Sequence, residues 1–322
     1  MKKVNIDDKY DKTDVIEDSM HGKLEYTLMN DFLAKYSLQN NTFALGGLLA
    51  ALLRLDVNDI RDIQILNPIK PSEVIREKLC VLDINLELNN SKIINIEIQT
   101  TYQEFWPERS ITYLSRNFNQ LKEGDHYIQI KPCIHIGILS KNLFKEDDPR
   151  YTDEFYSEYE LLNTKTHTVY SDKFSIRVLS LEQLENASEE DKQDKNGLYY
   201  WAKLFAATSW EELKMTAQDN PRMESFVGTI RELTADEKIA QACENRRMYS
   251  IEKATYEYSV NKAKQELEDT NKALENTNRK LGETKQELGE TKQELEDTKQ
   301  ELDAANKELE RLRSLLAGSG AK

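Results

Sequence analysis

Between Val81 and Gln99 the chain reads VLDINLELNNSKIINIEIQ, apolar and polar residues alternating on either side of a polar turn. A period of two predicts a pair of strands, each with one apolar face. Leu82, Ile84, Leu86, Leu88, Ile94, Ile96 and Ile98 share one face; Asp83, Asn85, Glu87, Asn95, Glu97 and Gln99 share the other. If Asn89-Asn90-Ser91 is a three-residue loop, Leu88 faces Lys92 and each opposed pair of residue numbers has the same sum. That register sets Asp83 across from Glu97 and Val81 across from Gln99. A two-residue loop would put Asp83 opposite Ile96 and mix the faces, so the clean separation selects the first register.

Leu24, Leu28, Phe32 and Tyr36 recur at helical spacing and predict a helix over KLEYTLMNDFLAKYSLQ. A second helix, Thr42 to Leu55, can be capped from the Asn40-Asn41-Thr42 cluster. IRDIQILNP reads as a short strand stopped by Asn67-Pro68. Trp106-Pro107 opens a helix that runs to Leu121, with proline suited to the first turn. KPCIHIGILS is a near-continuous apolar run and reads as a central strand covered on both faces. HTVYSDKFSIRVLSL reads as a further hairpin, and from Leu181 to about Lys262 the pattern is helical, with Trp201, Leu204 and Phe205 on one face. This order predicts an α/β sandwich with mixed strand directions.

The carboxyl end is a repeat. Leu267, Leu274, Leu281, Leu288, Leu295, Leu302, Leu309 and Leu316 stand at sevenfold spacing, which specifies a supercoiled helix. With Leu at position a, Thr270, Thr277, Thr284, Thr291 and Thr298 take position d; with Leu at d, Asn or Lys takes most a positions. One good knob per heptad predicts weak self-association, the alternative being a solvated helix held by Glu/Lys pairs. Gly282 and Gly289 each weaken the helix interior by roughly 1 kcal/mol relative to alanine.

Composition narrows the class. A chain of 322 residues with 39% hydrophobic and 32% charged side chains has room for one sizeable domain and an appendage. FALGGLLAALLRL is too short to cross a bilayer, and MKKVNIDDKYDKTD has no apolar run behind its lysines, so no membrane span or secretory signal is expected and the cytoplasm is the expected location. Cys80, Cys133 and Cys243 are far apart and read as buried thiols. A net charge of −14 argues against a broad basic surface for nucleic acid, but a local basic cleft is compatible with it.

Two carboxylates with Cβ atoms about 5 Å apart repel unless one is protonated, water screens both, or a cation sits between them. Mg²⁺ or Mn²⁺ suits such hard oxygen donors, while the same pattern alone also fits the exposed polar face of a hairpin. LDI and INIEIQ, preceded by MNDFLAK and GGLLAALL and followed by ERSITYLSR and GDHYIQIKPCIHIGIL, resemble the PD-(D/E)XK nuclease family transposases, also described as the recombination-promoting nuclease (Rpn) family. The resemblance covers about residues 26 to 180. It implies a restriction-endonuclease-like core, a mixed central sheet flanked by helices, to which the helical pattern and the leucine repeat add a helical C-terminal extension and coiled coil. The expected divisions are a polar lead-in over 1–22, the nuclease-like core over 23–180, the helical extension over 181–262, the coiled coil over 263–317 and a disordered tail over 318–322.

The resemblance also implies roles. Asp83 and Glu97 would be the metal-binding carboxylates, and Gln99 would stand where a classical member has lysine, positioning the attacking water. Lys35 matches the amino-terminal helix lysine, and Arg109 and Tyr113 match the R…Y helix. Lys35, Arg109, Tyr113 and Arg116 are then the DNA-binding candidates, with a helix-surface salt bridge as the other reading of the arginines. His126 and His135 read as structural. The implied activity is Mg²⁺- or Mn²⁺-dependent hydrolysis of DNA phosphodiester bonds with little sequence preference. The alternative is a catalytically inactive nucleic-acid-binding or scaffold protein acting through its coiled coil.

Overall fold

A computed structural model describes residues 20–69, 71 and 83–319. Most of the expected polar lead-in, the first residues of the expected hairpin (Cys80, Val81 and Leu82 among them) and residues 320–322 lie outside the described residues. The chain divides into two units, Met1–Ser250 and Ile251–Lys322.

Among the described residues of the first unit, six strands form one mixed sheet: β1 (Ile63–Ile65), β2 (Ile84–Leu88), β3 (Lys92–Gln99), β4 (Cys133–Leu139), β5 (Tyr156–Leu162) and β6 (Val169–Ser180), in the order β1-β2-β3-β4-β6-β5. β3, β4 and β6 are parallel; the remaining neighbours are antiparallel. The β2–β3 hairpin has the three-residue loop, with Leu88 paired to Lys92 and Ile84 to Ile96. Asn89 and Asn90 make its turn at φ 51° and 52°, a left-handed conformation that asparagine tolerates.

The first helix, α1 (Asp31–Asn40), is shorter than the sequence pattern implies. Asn30 caps it by accepting from the Leu33 N–H, and Lys23 is instead drawn into a bridge with Ser209. Asn41 caps α2 (Thr42–Leu53), which ends at Arg54 in the left-handed region. α3 (Trp106–Phe118) connects β3 to β4. HTVYSDKFSIRVLSL is not a hairpin: Val169–Ser180 is a single strand whose antiparallel partner is the acidic segment Tyr156–Leu162, with the turn at Asn163–Thr168. β5 is at the sheet edge and largely exposed, so it lacks the apolar alternation that marks a covered strand.

Four helices follow, α4 (Glu189–Gln193), α5 (Leu198–Ala206), α6 (Trp210–Ala217) and α7 (Pro221–Thr234), and then the long α8 (Glu237–Ser319). Trp201, Phe205, Met223, Phe226 and Ile230 share one core with α1, α2 and the apolar face of the sheet, so the helices beyond residue 180 are built into the same core. The opposite sheet face is covered by α3 through two smaller clusters, Trp106 with Leu139, Leu143, Phe144 and Val178, and Leu114 with Ile93 and Cys133. β4 is buried along its whole length, as its apolar run implies. No helix among the described residues is long and apolar enough to cross a membrane.

Candidate nuclease site

The polar face of the hairpin is not solvated. Asp83, Asn95 and Glu97 are all buried, Glu97 to 2% exposure. Burying a carboxylate costs several kcal/mol unless it is compensated, so the neighbours of these groups determine what the cluster is.

Asp83 immediately precedes β2, in line with Glu97 by the hairpin register. Its backbone is held by Asn67, whose side-chain amide donates to the Asp83 carbonyl (2.8 Å) and whose Oδ1 accepts from the Asn85 N–H (2.7 Å). Asn67 therefore does more than stop β1: its amide continues the ladder to the point where the carboxylate is needed.

Lys35 of α1 lies 3.5 Å from Asp83 Oδ1 with 0% exposure. Burial pushes its ammonium down to about 8, although Asp83, Asp31 and Glu97 all favour the charged form. Burial likewise raises the Asp83 carboxyl, against the pull of Lys35 and with the push of Glu97. Glu97 goes the other way. Burial would raise it, but His135 and Arg109 together outweigh that and hold it below the usual carboxylate range.

Arg109 Nε is 2.8 Å from Glu97 Oε1 and His135 Nε2 is 3.4 Å from Oε2. Neither contact has the alignment of a full hydrogen bond, so both Glu97 oxygens keep unsatisfied acceptor capacity in a buried site. His135 Nδ1 is 3.0 Å from the Asn95 amide, its neighbour in the parallel β3–β4 register. His135 thus belongs to the cluster. Its signal was the face it shares with Gly137 on β4, legible only once β4 is paired with β3.

The helix covering the site is α3. Its Trp106 lies over Gly137, the residue paired with Glu97; a Cβ at Gly137 would meet the indole at 2.3 Å. One turn on, Arg109 and then Tyr113 face the cluster, the guanidinium 5.0 Å from the Tyr113 ring centre and the Tyr113 ring 6.0 Å from that of His135. Arg116 is exposed, its guanidinium 5.7 Å from the centre of the same Tyr113 ring. Gln99 follows Glu97 on the same strand face and is partly exposed. His126 is exposed in the loop before β4, apart from this cluster of contacts.

The expected site residues therefore separate by burial. Lys35, Asp83 and Glu97 are interior, Arg109 bridges interior and surface, Gln99 and Tyr113 are half-buried and Arg116 is exposed. Among the described residues no group of three or more His, Cys, Asp or Glu side chains is arranged to hold a metal ion. Two carboxylates still fit Mg²⁺, which is commonly bound by one or two carboxylates with water and substrate phosphate completing the shell, and the unsatisfied Glu97 oxygens supply donors for it.

A family model described as PD-(D/E)XK nuclease family transposase matches residues 28–258, which takes in both the sheet and the helices after it. No curated protein and no solved structure matches the chain. With well over half of its length matched, and with its mixed six-stranded sheet flanked by helices, the chain belongs to the PD-(D/E)XK nuclease family transposases.

Proposed function

We propose that this protein is a metal-dependent DNA endonuclease of the recombination-promoting (Rpn) type, cutting phosphodiester bonds with little sequence preference. The observation that carries the reading is the burial of Asp83 and Glu97 on one strand face together with Lys35. A fold does not keep two carboxylates and an ammonium inside for stability, since such groups are at best near neutral in net energy.

In this reading Asp83 and Glu97 hold Mg²⁺ or Mn²⁺, which would supply Lewis acidity to the scissile phosphate and acidify a bound water. Lys35 supplies the ammonium that Gln99 cannot. Being buried, it stabilises charge beside Asp83 rather than gripping a duplex from the surface, and an ammonium with a pKa of about 8 can also exchange a proton near neutral pH. Gln99 offers an amide to orient the attacking water. Arg109, Tyr113 and Arg116 form an open edge of guanidinium and phenol groups along α3, suited to phosphate oxygens. Contacts of that kind carry no base identity, hence the weak sequence preference. Action on cytoplasmic DNA, and self-association through the C-terminal helix, complete the proposal.

The test is plasmid nicking by the purified chain with Mg²⁺, with Mn²⁺ and with EDTA. Cutting should require the divalent ion, and Asp83→Ala should lower it by about 10²-fold or more while the circular dichroism spectrum is kept. Equal cutting by the variant would refute the assignment. Binding of DNA by the wild-type chain without any metal-dependent cutting would favour an inactive nucleic-acid-binding module.

A further inference from the structure

The unit Ile251–Lys322 is helical through Ser319, and the seven leucines from Leu267 to Leu309 remain between 47% and 61% exposed. We propose that this stripe is covered by the same helix of a second copy of the chain, parallel and in register, so that two nuclease units are tethered together.

The seam comes first. With Leu at a, the threonines occupy d, and each turns its hydroxyl back onto its own helix: Thr270, Thr277, Thr284, Thr291 and Thr298 all donate to the carbonyl four residues earlier, at 2.7 to 3.0 Å. The hydroxyl proton is satisfied without a partner chain, so what threonine adds to the seam is largely its methyl group. The stripe begins at Val260 and Ala263, and at its far end Ala305 and Leu312 replace threonine at d.

Direction is decided by the flanks. In a parallel pair, a g residue faces the e residue of the next heptad on the partner; in an antiparallel pair, e faces e and g faces g. Position e holds Lys285, Lys292, Lys299 and Arg313, while g holds Glu287, Glu294, Glu301 and Glu308. A parallel, in-register pair therefore sets Glu287 against Lys292, Glu294 against Lys299 and Glu308 against Arg313 on both sides of the seam. Lys280 against Lys285 is a like-charged pair opposing these. An antiparallel pair would instead turn the e lysines toward one another and the g glutamates toward one another. The in-helix partner of Glu308, Arg311 at 3.5 Å, is an exposed pair of little worth and competes weakly.

Chain connectivity then tethers one nuclease unit to the amino-terminal side of each paired helix. This consequence rests on the nuclease reading above: two like sites tethered together suit a substrate with two strands to cut. The pairing itself does not, and it is measured without DNA.

The full-length chain should show concentration-dependent dimerisation by sedimentation velocity. Lys292→Glu, Lys299→Glu and Arg313→Glu together should lower the association constant at least about tenfold with helical content unchanged, because the three attractive pairs on each side become repulsive. An antiparallel pair would only exchange lysine–lysine for glutamate–glutamate contacts and would show no such loss. Ala305→Cys should form an intermolecular disulfide on mild oxidation that the parent chain does not, since d residues meet their own counterparts only in the parallel register. A chain that stays monomeric at every concentration, an unaffected triple variant, or no cross-link at position 305 would each overturn the proposal. A chain that dimerises as described yet cuts no DNA would sink the nuclease reading alone.

Discussion

Glu97 is 2% exposed and Leu288 is 54% exposed, the reverse of what a carboxylate and a leucine ordinarily show. Each marks its region as incomplete, but the two regions handle the incompleteness differently. Around Glu97 the fold has prepared every neighbour: Lys35 from one helical layer, Arg109 from the other, and His135 with Asn95 from the parallel strands. Around Leu288 nothing has been prepared, because a single helix has no second wall. A buried polar group must be compensated at once within its own chain, whereas an exposed apolar stripe costs little until a partner covers it.

The contrast can be broken most directly at Lys35. Lys35→Ala should cost about 3 kcal/mol in urea unfolding, because it leaves Asp83 and Glu97 without the ammonium between them and the helix. A loss below about 0.5 kcal/mol would mean the carboxylates are effectively solvated and not a prepared site.

Next comes Gly137. The Trp106 indole occupies the space of a Cβ at 2.3 Å, so Gly137→Ala should destabilise by about 1–3 kcal/mol and displace the start of α3, weakening metal-dependent cutting through Arg109 as well. Thermal unfolding and nicking measured on the same preparation check both effects. An unchanged melting temperature would show that Trp106 does not hold the helix over the site.

A further test concerns pH. Burial puts the folded Lys35 at about 8 against an ordinary value of 10.5, so between those values the unfolded state holds more of the proton and the folded state gains as pH rises. The penalty for burying the ammonium is present in full below about pH 8. Wild type should therefore gain stability relative to Lys35→Met from about pH 8 to 10.5, and a difference independent of pH would mean that the ammonium is not desolvated in the folded chain.

The smallest effect lies in the other region. Leu288→Ala, or truncation after Lys262, should leave the unfolding of the first unit unchanged within about 0.5 kcal/mol when measured on dilute protein, since its core residues end at Cys243 among those described. A larger change would mean that the long helix supports the nuclease unit after all.

Much of the fold was legible in local patterns. Alternation and the Asn-Asn turn set the β2–β3 register, an apolar run marked β4 as central, and an asparagine cap and a proline marked the starts of α2 and α3. These depend on residues a few positions apart, whose geometry follows from the strand and helix periods alone. The sevenfold leucines likewise specify a helix and a stripe with no reference to the rest of the chain.

The tertiary structure decided what those patterns meet. Tyr156–Leu162 became a strand because β6 offered it an edge, although its own side chains are mostly exposed. His135 joined the site because the α3 crossover set β4 parallel to β3 and brought it beside Asn95. Lys35 stands 48 positions from Asp83 and reaches it only through the packing of α1. In each instance the deciding contact joins residues distant in sequence, so no local period carries it. The sequence alone determined which side chains share a face; the fold determined that the polar face would be buried, and with which counter-charges.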